Sequence, residues 1–215
     1  MSVVVSRESL LCPPGWAGVV TLDGAILATV PDAGLIEPLR GVLLHHLGES
    51  GIDLARLPAR LPVQDTLGPA TLAYLDAGHF AAAHADTEVE RLPAGHPDVR
   101  ALLASVDEQG AGESGMEKAA SAVCVVRDGQ DVIAAAAYRP WLDMAAHVSV
   151  LTAPEHRGRG LARRVASATV ADAMANGLLP QWRARPEASR RVARALGFQE
   201  FGAQISVRWS ARVTT

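Results

Sequence analysis

Between Arg157 and Ala162 the chain reads Arg-Gly-Arg-Gly-Leu-Ala, two glycines set among arginines just ahead of an alanine-rich stretch with helical spacing. These residue types bind anions. A helix leaves its first N–H groups without internal partners, and its dipole puts partial positive charge at the same end. Glycines ahead of it let a phosphate approach the backbone with no Cβ in the way. Arg157, Gly158, Arg159, Gly160, Leu161 and Ala162 are therefore the candidate anion cradle. Before them, His147 to Thr152 reads as an apolar strand and Ala153-Pro154 as a short turn. The dinucleotide fingerprint does not fit, because Gly-x-Gly-x-x-Gly is absent and no acid stands at the distance that holds a ribose. The plain alternative is a strand-to-helix turn whose arginines face solvent.

Charge along the chain agrees with a polyanionic ligand. Residues 157–197 carry nine arginines against two acids, Asp172 and Glu187, a local +7 in a chain whose net charge is −3. A basic cluster beside a phosphate-type loop suits a small polyanion. Nucleic acid is not expected, since interleaved aromatics and a docking motif are missing. The seven histidines show no metal-ligand spacing, and His45-His46 reads as helix surface. Cys12 and Cys124 read as free, buried thiols in a reducing, cytoplasmic compartment. No apolar run approaches a membrane span, and Met1 to Leu11 does not read as a secretory leader. With 49% hydrophobic but only 4% aromatic residues, the core must be built from Ala, Val and Leu.

The elements that must position the cradle follow from pattern. Residues 18–30 predict a hairpin around Asp23-Gly24, and Pro31-Asp32 starts a helix to about Leu47. Residues 48–69 read as loop and short helix, and 68–75 as a further short helix. Thr87–Leu92 reads as a strand, Pro97 to about Asp107 as a helix, and 108–118 as a loop or broken helix. Ser121–Val126 and Val132–Tyr138 predict an antiparallel hairpin. A helix from Gly160 to Asn176 should bury Ala162, Ala166, Val170, Ala173 and Met174, with Gly177 as its left-handed cap. Gln181–Ala184 is a strand, Pro186 opens a last helix ending at Gly197-Phe198, and Ile205–Trp209 is a closing strand.

The turn and this order of elements resemble the GNAT N-acetyltransferases. Their cofactor motif, Arg/Gln-x-x-Gly-x-Gly/Ala, is filled by Arg157, Gly160 and Ala162. Within the family the sequence is most similar to the bacterial zwittermicin-resistance type, through Glu113-Ser114-Gly115-Met116, the run from Ala146 to Thr152, Leu196-Gly197-Phe198 and Ile205-Ser206-Val207-Arg208. The resemblance implies an α/β (α+β) fold, a mixed, mostly antiparallel central sheet flanked by helices. It covers residues 87–215. Residues 1–86 are expected to form an N-terminal accessory domain, either a GNAT-like half-domain or an extension shaping the cleft or a dimer interface.

The resemblance further implies acetyl-CoA as cofactor and acetyl transfer to a primary amine. It sets the pantetheine arm along Val150, Leu151 and Thr152, like an added strand, with a backbone N–H there available to a developing oxyanion. Ser189, Arg190 and Arg194 are expected to touch the cofactor. An ammonium ion titrates near pH ~10.4, so a proton acceptor is needed. Glu113 is one candidate, or else a loop carboxylate capping a helix. His147 is another, or else a structural histidine that alternation turns away from the acetyl group. Tyr138 and Trp141 are expected to line the acceptor pocket. Two positions depart from the family: Ala193 stands where many members have a tyrosine acid, and Pro186 where an Asn is usual. The acceptor is read as a small amine, with a homodimer left open. An acyl-CoA sensor with little catalysis and a protein N-acetyltransferase are the rival functions.

Overall fold

A computed structural model describes residues 1–45, 52–83 and 88–210. His46, the expected helix end at Leu47-Gly48 and the strand start at Thr87 lie outside the described residues. In chain order the elements are β1 (Ser2–Val5), β2 (Ala17–Leu22), β3 (Ala25–Val30), α1 (Ile36–His45), β4 (Val63–Tyr74) and β5 (Glu90–Leu92). Then come α2 (Pro97–Ala104), α3 (Glu108–Ser114), β6 (Val123–Asp128), β7 (Asp131–Trp141) and β8 (Ala145–Thr152). α4 (Leu161–Ala175), β9 (Leu179–Ala184), α5 (Glu187–Ala195) and β10 (Gln199–Trp209) complete the set. Among the described residues no helix is long and apolar enough to cross a membrane.

Contacts divide the chain into two compact units, residues 1–72 with the strand from Glu200, and residues 73–199. The sequence places its division after residue 86. The contacts exchange earlier, at Leu72/Ala73, and again at Gln199/Glu200, because β10 pairs antiparallel with β2 almost two hundred residues upstream. No local pattern announces a pairing of that range.

In the first unit the strands run in the order β1-β3-β2-β10-β4. Asp23 and Gly24, at φ +46 and +77, make the two-residue turn that joins β2 to β3. Val19, Ala28, Val30, Leu39, Leu43, Ile205 and Val207 form its core. β1, for which the sequence offered no reading, pairs parallel with β3. Residues 63–74 differ from expectation, being strand rather than loop and short helix. Sheet pairing overrides the weak local signal there. Gly68 sits at φ +110, where a Cβ would lie 2.8 Å from the Gln204 carbonyl oxygen, so the strand passes there only as glycine.

In the second unit β9-β8-β7-β6-β5 form the sheet, antiparallel except for the parallel pair β8/β9. Ala134 to Ala137 on β7 are all 0% exposed, so both faces of the strand are covered. On one face α4 and α5 pack Val165, Ala166, Val170 and Ala193 against Ala134, Ala136, Val148 and Trp182. On the other, Val99 and Leu102 of α2 and Met116 pack against Val125, Ala135 and Leu151. The stretch 108–118 is a broken helix: Asp107 caps α3 through Gly110 N–H at 2.6 Å, and Gly115 at φ +66 breaks it. α4 buries Leu161, Val165, Ala166, Val170 and Ala173, while Ala162 and Met174, expected on that stripe, are half-buried at its edge. Both cysteines are free; Cys124 is buried and Cys12 half-buried.

Candidate functional site

Gly158 and Gly160 both take φ +77, and a Cβ built on either meets nothing within 4 Å. Each faces open space. α4 starts at Leu161 with no side-chain cap and no acid in its first turn, and Arg164 N–H donates to Gly160 O at 3.3 Å. The preceding N–H groups of the turn are thus the orphans that every helix start leaves. Arg157 Nε donates to Thr152 O at 3.3 Å, and Arg159 Nη1 lies 2.8 Å from His156 Nδ1, leaving both guanidinium groups at the rim of the turn. Among the described residues Thr152 Oγ1 and Arg163 Nε are buried polar atoms with no hydrogen-bond partner. Open glycines, an uncapped helix start and orphaned donors fit a pyrophosphate-bearing cofactor.

The strand leading into this turn has a second property. Ala153 N–H donates to Ile133 O at 2.9 Å. By alternation the backbone groups of Leu151 also face β7, and those of Val150 and Thr152 face the other way, toward β9. On that side the pairing ends at His147↔Gln181, although β8 runs on to Thr152 and β9 to Ala184. The two strands part, and Val150 N–H and C=O face the space between them. Side chains alternate too: Val148 and Val150 lie on the α4 face, and Leu151 on the α2 face.

α5 is differently arranged. Ser189 Oγ accepts from Trp182 Nε1 at 3.0 Å. Arg190 pairs with Glu187 at 3.3 Å, and Arg194 pairs with the same carboxylate.

The pocket residue Tyr138 and the two candidate bases fall on two faces. Tyr138, 6% exposed, lies on the α4 face, where its hydroxyl is 3.2 Å from Asp172 Oδ2 and accepts from Asn176 Nδ2 at 3.4 Å. Desolvation, then the Asp172 charge, raises its pKa above the ordinary phenol value. Glu113 and His147 belong to the opposite face. Glu113, with a 24% exposed side chain, pairs with Arg185 at 3.2 Å and accepts from Gln109 Nε2 at 3.1 Å. His147 Nδ1 is 3.0 Å from Gln181 Oε1, and Gln181 Nε2 donates to Tyr74 Oη at 2.9 Å. Oε1 only accepts, so Nδ1–H donates and Nε2 keeps its lone pair. Burial, then Arg183, pushes the imidazole down to about pKa 4, so it is neutral at pH 7.

Residues 139, 181, 183 and 185 did not enter the sequence-based site. The signal was present: Gln181-Trp182-Arg183-Ala184-Arg185 alternates polar and apolar, so a strand sends its polar members to one face. Arg163 was also missed, since its neighbours in the arginine-rich stretch mask it.

Residues 116–203 match the family model of the GNAT acetyltransferases. Among solved structures, the chain is similar to a GNAT-family protein from Novosphingobium aromaticivorans, at 25% identity over 67% of this chain and 65% of that one, with a TM-score of 0.53. It therefore spans just under two thirds of that relative's length. A GNAT-family acetyltransferase from Colwellia psychrerythraea aligns at 15% identity over 84% and 75%, TM-score 0.52. A GCN5-related N-acetyltransferase from Kribbella flavida aligns at 14% over 74% and 65%, TM-score 0.56. The last two share the fold alone. No curated protein matches. Residues 116–203, which carry the phosphate-fitting turn near their middle, are thus similar to the GNAT acetyltransferases, a likeness that covers less than half of the chain.

Proposed function

We propose that the protein is an N-acetyltransferase acting on a primary amine of a small molecule. The observation that carries this is the parting of β8 from β9 after His147/Gln181, beside an uncapped glycine turn. Acetyl-CoA supplies an activated acetyl thioester; amide formation makes a C–N bond, breaks the C–S bond and releases a free thiol. The N–H groups from Arg159 to Ala162 hold the pyrophosphate, with Arg157 and Arg159 adding charge at the rim. Val150 N–H is the donor for a developing oxyanion, an interaction worth roughly 3–4 kcal/mol in other enzymes. Leu151 and Thr152 flank the pantetheine arm, and Ser189, Arg190 and Arg194 border it from α5.

On the acceptor side Glu113 takes the ammonium proton, and neutral His147 offers Nε2 as an acceptor to the amine. At pKa about 4, His147 is too weak to serve as the main base at pH 7. Tyr138 acts by holding β7 to α4. Residues 1–86 serve as the accessory region. The finer likeness to zwittermicin-resistance enzymes rests on the four motifs quoted above, and two free thiols support a cytoplasmic setting.

Calorimetric titration with acetyl-CoA, coupled to a free-thiol assay over an amine panel, tests the reading. Binding with thiol release is expected, and Glu113→Gln should lower kcat about 10²-fold while the affinity for acetyl-CoA holds. Full turnover by Glu113→Gln across pH would remove Glu113 as the base. A second reading, an acyl-CoA-binding module without catalysis, is favoured by one feature: Ala193, 2% exposed, brings no hydroxyl where the family resemblance expects one. Tight binding with no thiol release would select it.

A further inference from the structure

Three guanidinium groups gather on the His147 face of the second unit. Arg139 on β7 stands opposite His147 in the antiparallel register, and His147 opposite Gln181 in the parallel one. Trp182 and Ala184 are in the core on the α4 face, so Arg183 turns to the His147 face with Gln181. Arg185 follows two residues on and meets Glu113. Glu113 is the one carboxylate shown paired within this group. Among the described residues Arg139 and Arg183 make no hydrogen bond or ion pair with a protein group. With His147 neutral, two positive charges on this face stand uncompensated. Arg139 and Arg183 are both exposed to an incoming ligand, and Arg183 is held below its ordinary pKa by desolvation of part of its side chain, then by Arg139 and Arg185, a repulsion that an approaching anion relieves. The cofactor's phosphates do not answer for it, because their turn lies at the start of α4, which packs on the opposite face.

Resting on the transferase reading, we propose that the acceptor amine carries an oxyanion, a carboxylate or a phosphate, which Arg139 and Arg183 bind while Glu113 and His147 face the amine. Guanidinium groups recognise either oxyanion through paired N–H donors. The acceptor would thus be an amino acid-like or phosphorylated amine, and a cationic polyamine would be turned away by like charge.

The test uses matched amines that differ only in charge: β-alanine against its amide, and phosphoethanolamine against ethanolamine. Each is titrated into the acetyl-CoA-loaded protein, following thiol release and the His147 imidazole resonance, assigned with His147→Gln. An anionic member should be preferred at least tenfold over its neutral twin. Its binding should also raise the His147 pKa by screening Arg183. Arg183→Gln should erase that preference, with the neutral twin and acetyl-CoA affinity unchanged within about twofold; Arg139→Gln provides an independent variant. Whether β-alanine or phosphoethanolamine wins decides between carboxylate and phosphate. If acetyl-CoA binds but no anionic member surpasses its twin or shifts His147, the proposal is overturned and the transferase reading stands. If acetyl-CoA itself fails to bind, both fall.

Discussion

The starts of α4 and α5 look alike in sequence, each an arginine-rich helix opening after a turn residue, and the fold treats them in opposite ways. At α4 there is no cap and no first-turn acid, and two glycines at φ +77 face open space. At α5 Glu187 occupies the first turn and pairs with both Arg190 and Arg194, while Ser189 is tied to the Trp182 indole. A cluster of arginines marks an anion site only where the protein has left the positive charge unanswered. By that criterion the start of α4 is left open, as the proposed cofactor cradle requires, whereas the charge at the start of α5 is answered within the protein.

The contrast breaks most sharply at Gly160. Gly160→Glu forces a non-glycine residue to φ +77 and sets a carboxylate in the cradle. Acetyl-CoA affinity should drop about 10³-fold, roughly 4 kcal/mol, by calorimetry; an unchanged affinity would refute the cradle. At α5 the large effect should be on stability instead. Leu196, 0% exposed just past α5, packs in the same core as Trp182 and Phe198. Leu196→Ala should cost about 3 kcal/mol in urea unfolding, and a cost below about 1 kcal/mol would mean that α5 does not hold the sheet.

Next in size is the pH response of His147. Its folded pKa is about 4 against an ordinary 6.5, so below pH 6.5 the unfolded chain binds a proton that the folded chain refuses. Stability attributable to this group is complete above pH 6.5 and is lost as pH falls toward 4. The loss is about 2 kcal/mol once partial solvation trims the full linkage. His147→Gln should flatten that part of the stability profile, and an identical slope in the variant would place the imidazole in a wetter site. The smallest effect is expected from Arg190→Gln. With Glu187 already answering its charge, acetyl-CoA affinity should change less than threefold, and a tenfold loss would erase the distinction between the two helices.

Much of this was legible in the residues because it is local. Asp23-Gly24 specifies a two-residue turn, Gly160-Leu161 a helix start, and the apolar runs Val123–Val126, Val132–Tyr138 and His147–Thr152 a set of paired strands. Residues 63–74 were not legible. A segment with Gly68-Pro69 inside it has little strand character of its own, and its β10 neighbour lies far along the chain. The face of Arg139 and Arg183 was half legible: alternation from Gln181 to Arg185 sorts the side chains, but only the β7-β8-β9 register brings Arg139 and His147 to the same place.

By itself the sequence determined the glycine turn and helix start proposed as the anion cradle, the order of elements around it and the acetyltransferase resemblance, since each rests on backbone preferences within a few residues. Only the tertiary structure decided where β8 leaves β9, which arginines are neutralised and which are not, and that Tyr138 and His147 sit on opposite faces. Those outcomes depend on strand register and on partners distant in sequence, where a shift of one residue exchanges every side chain between faces.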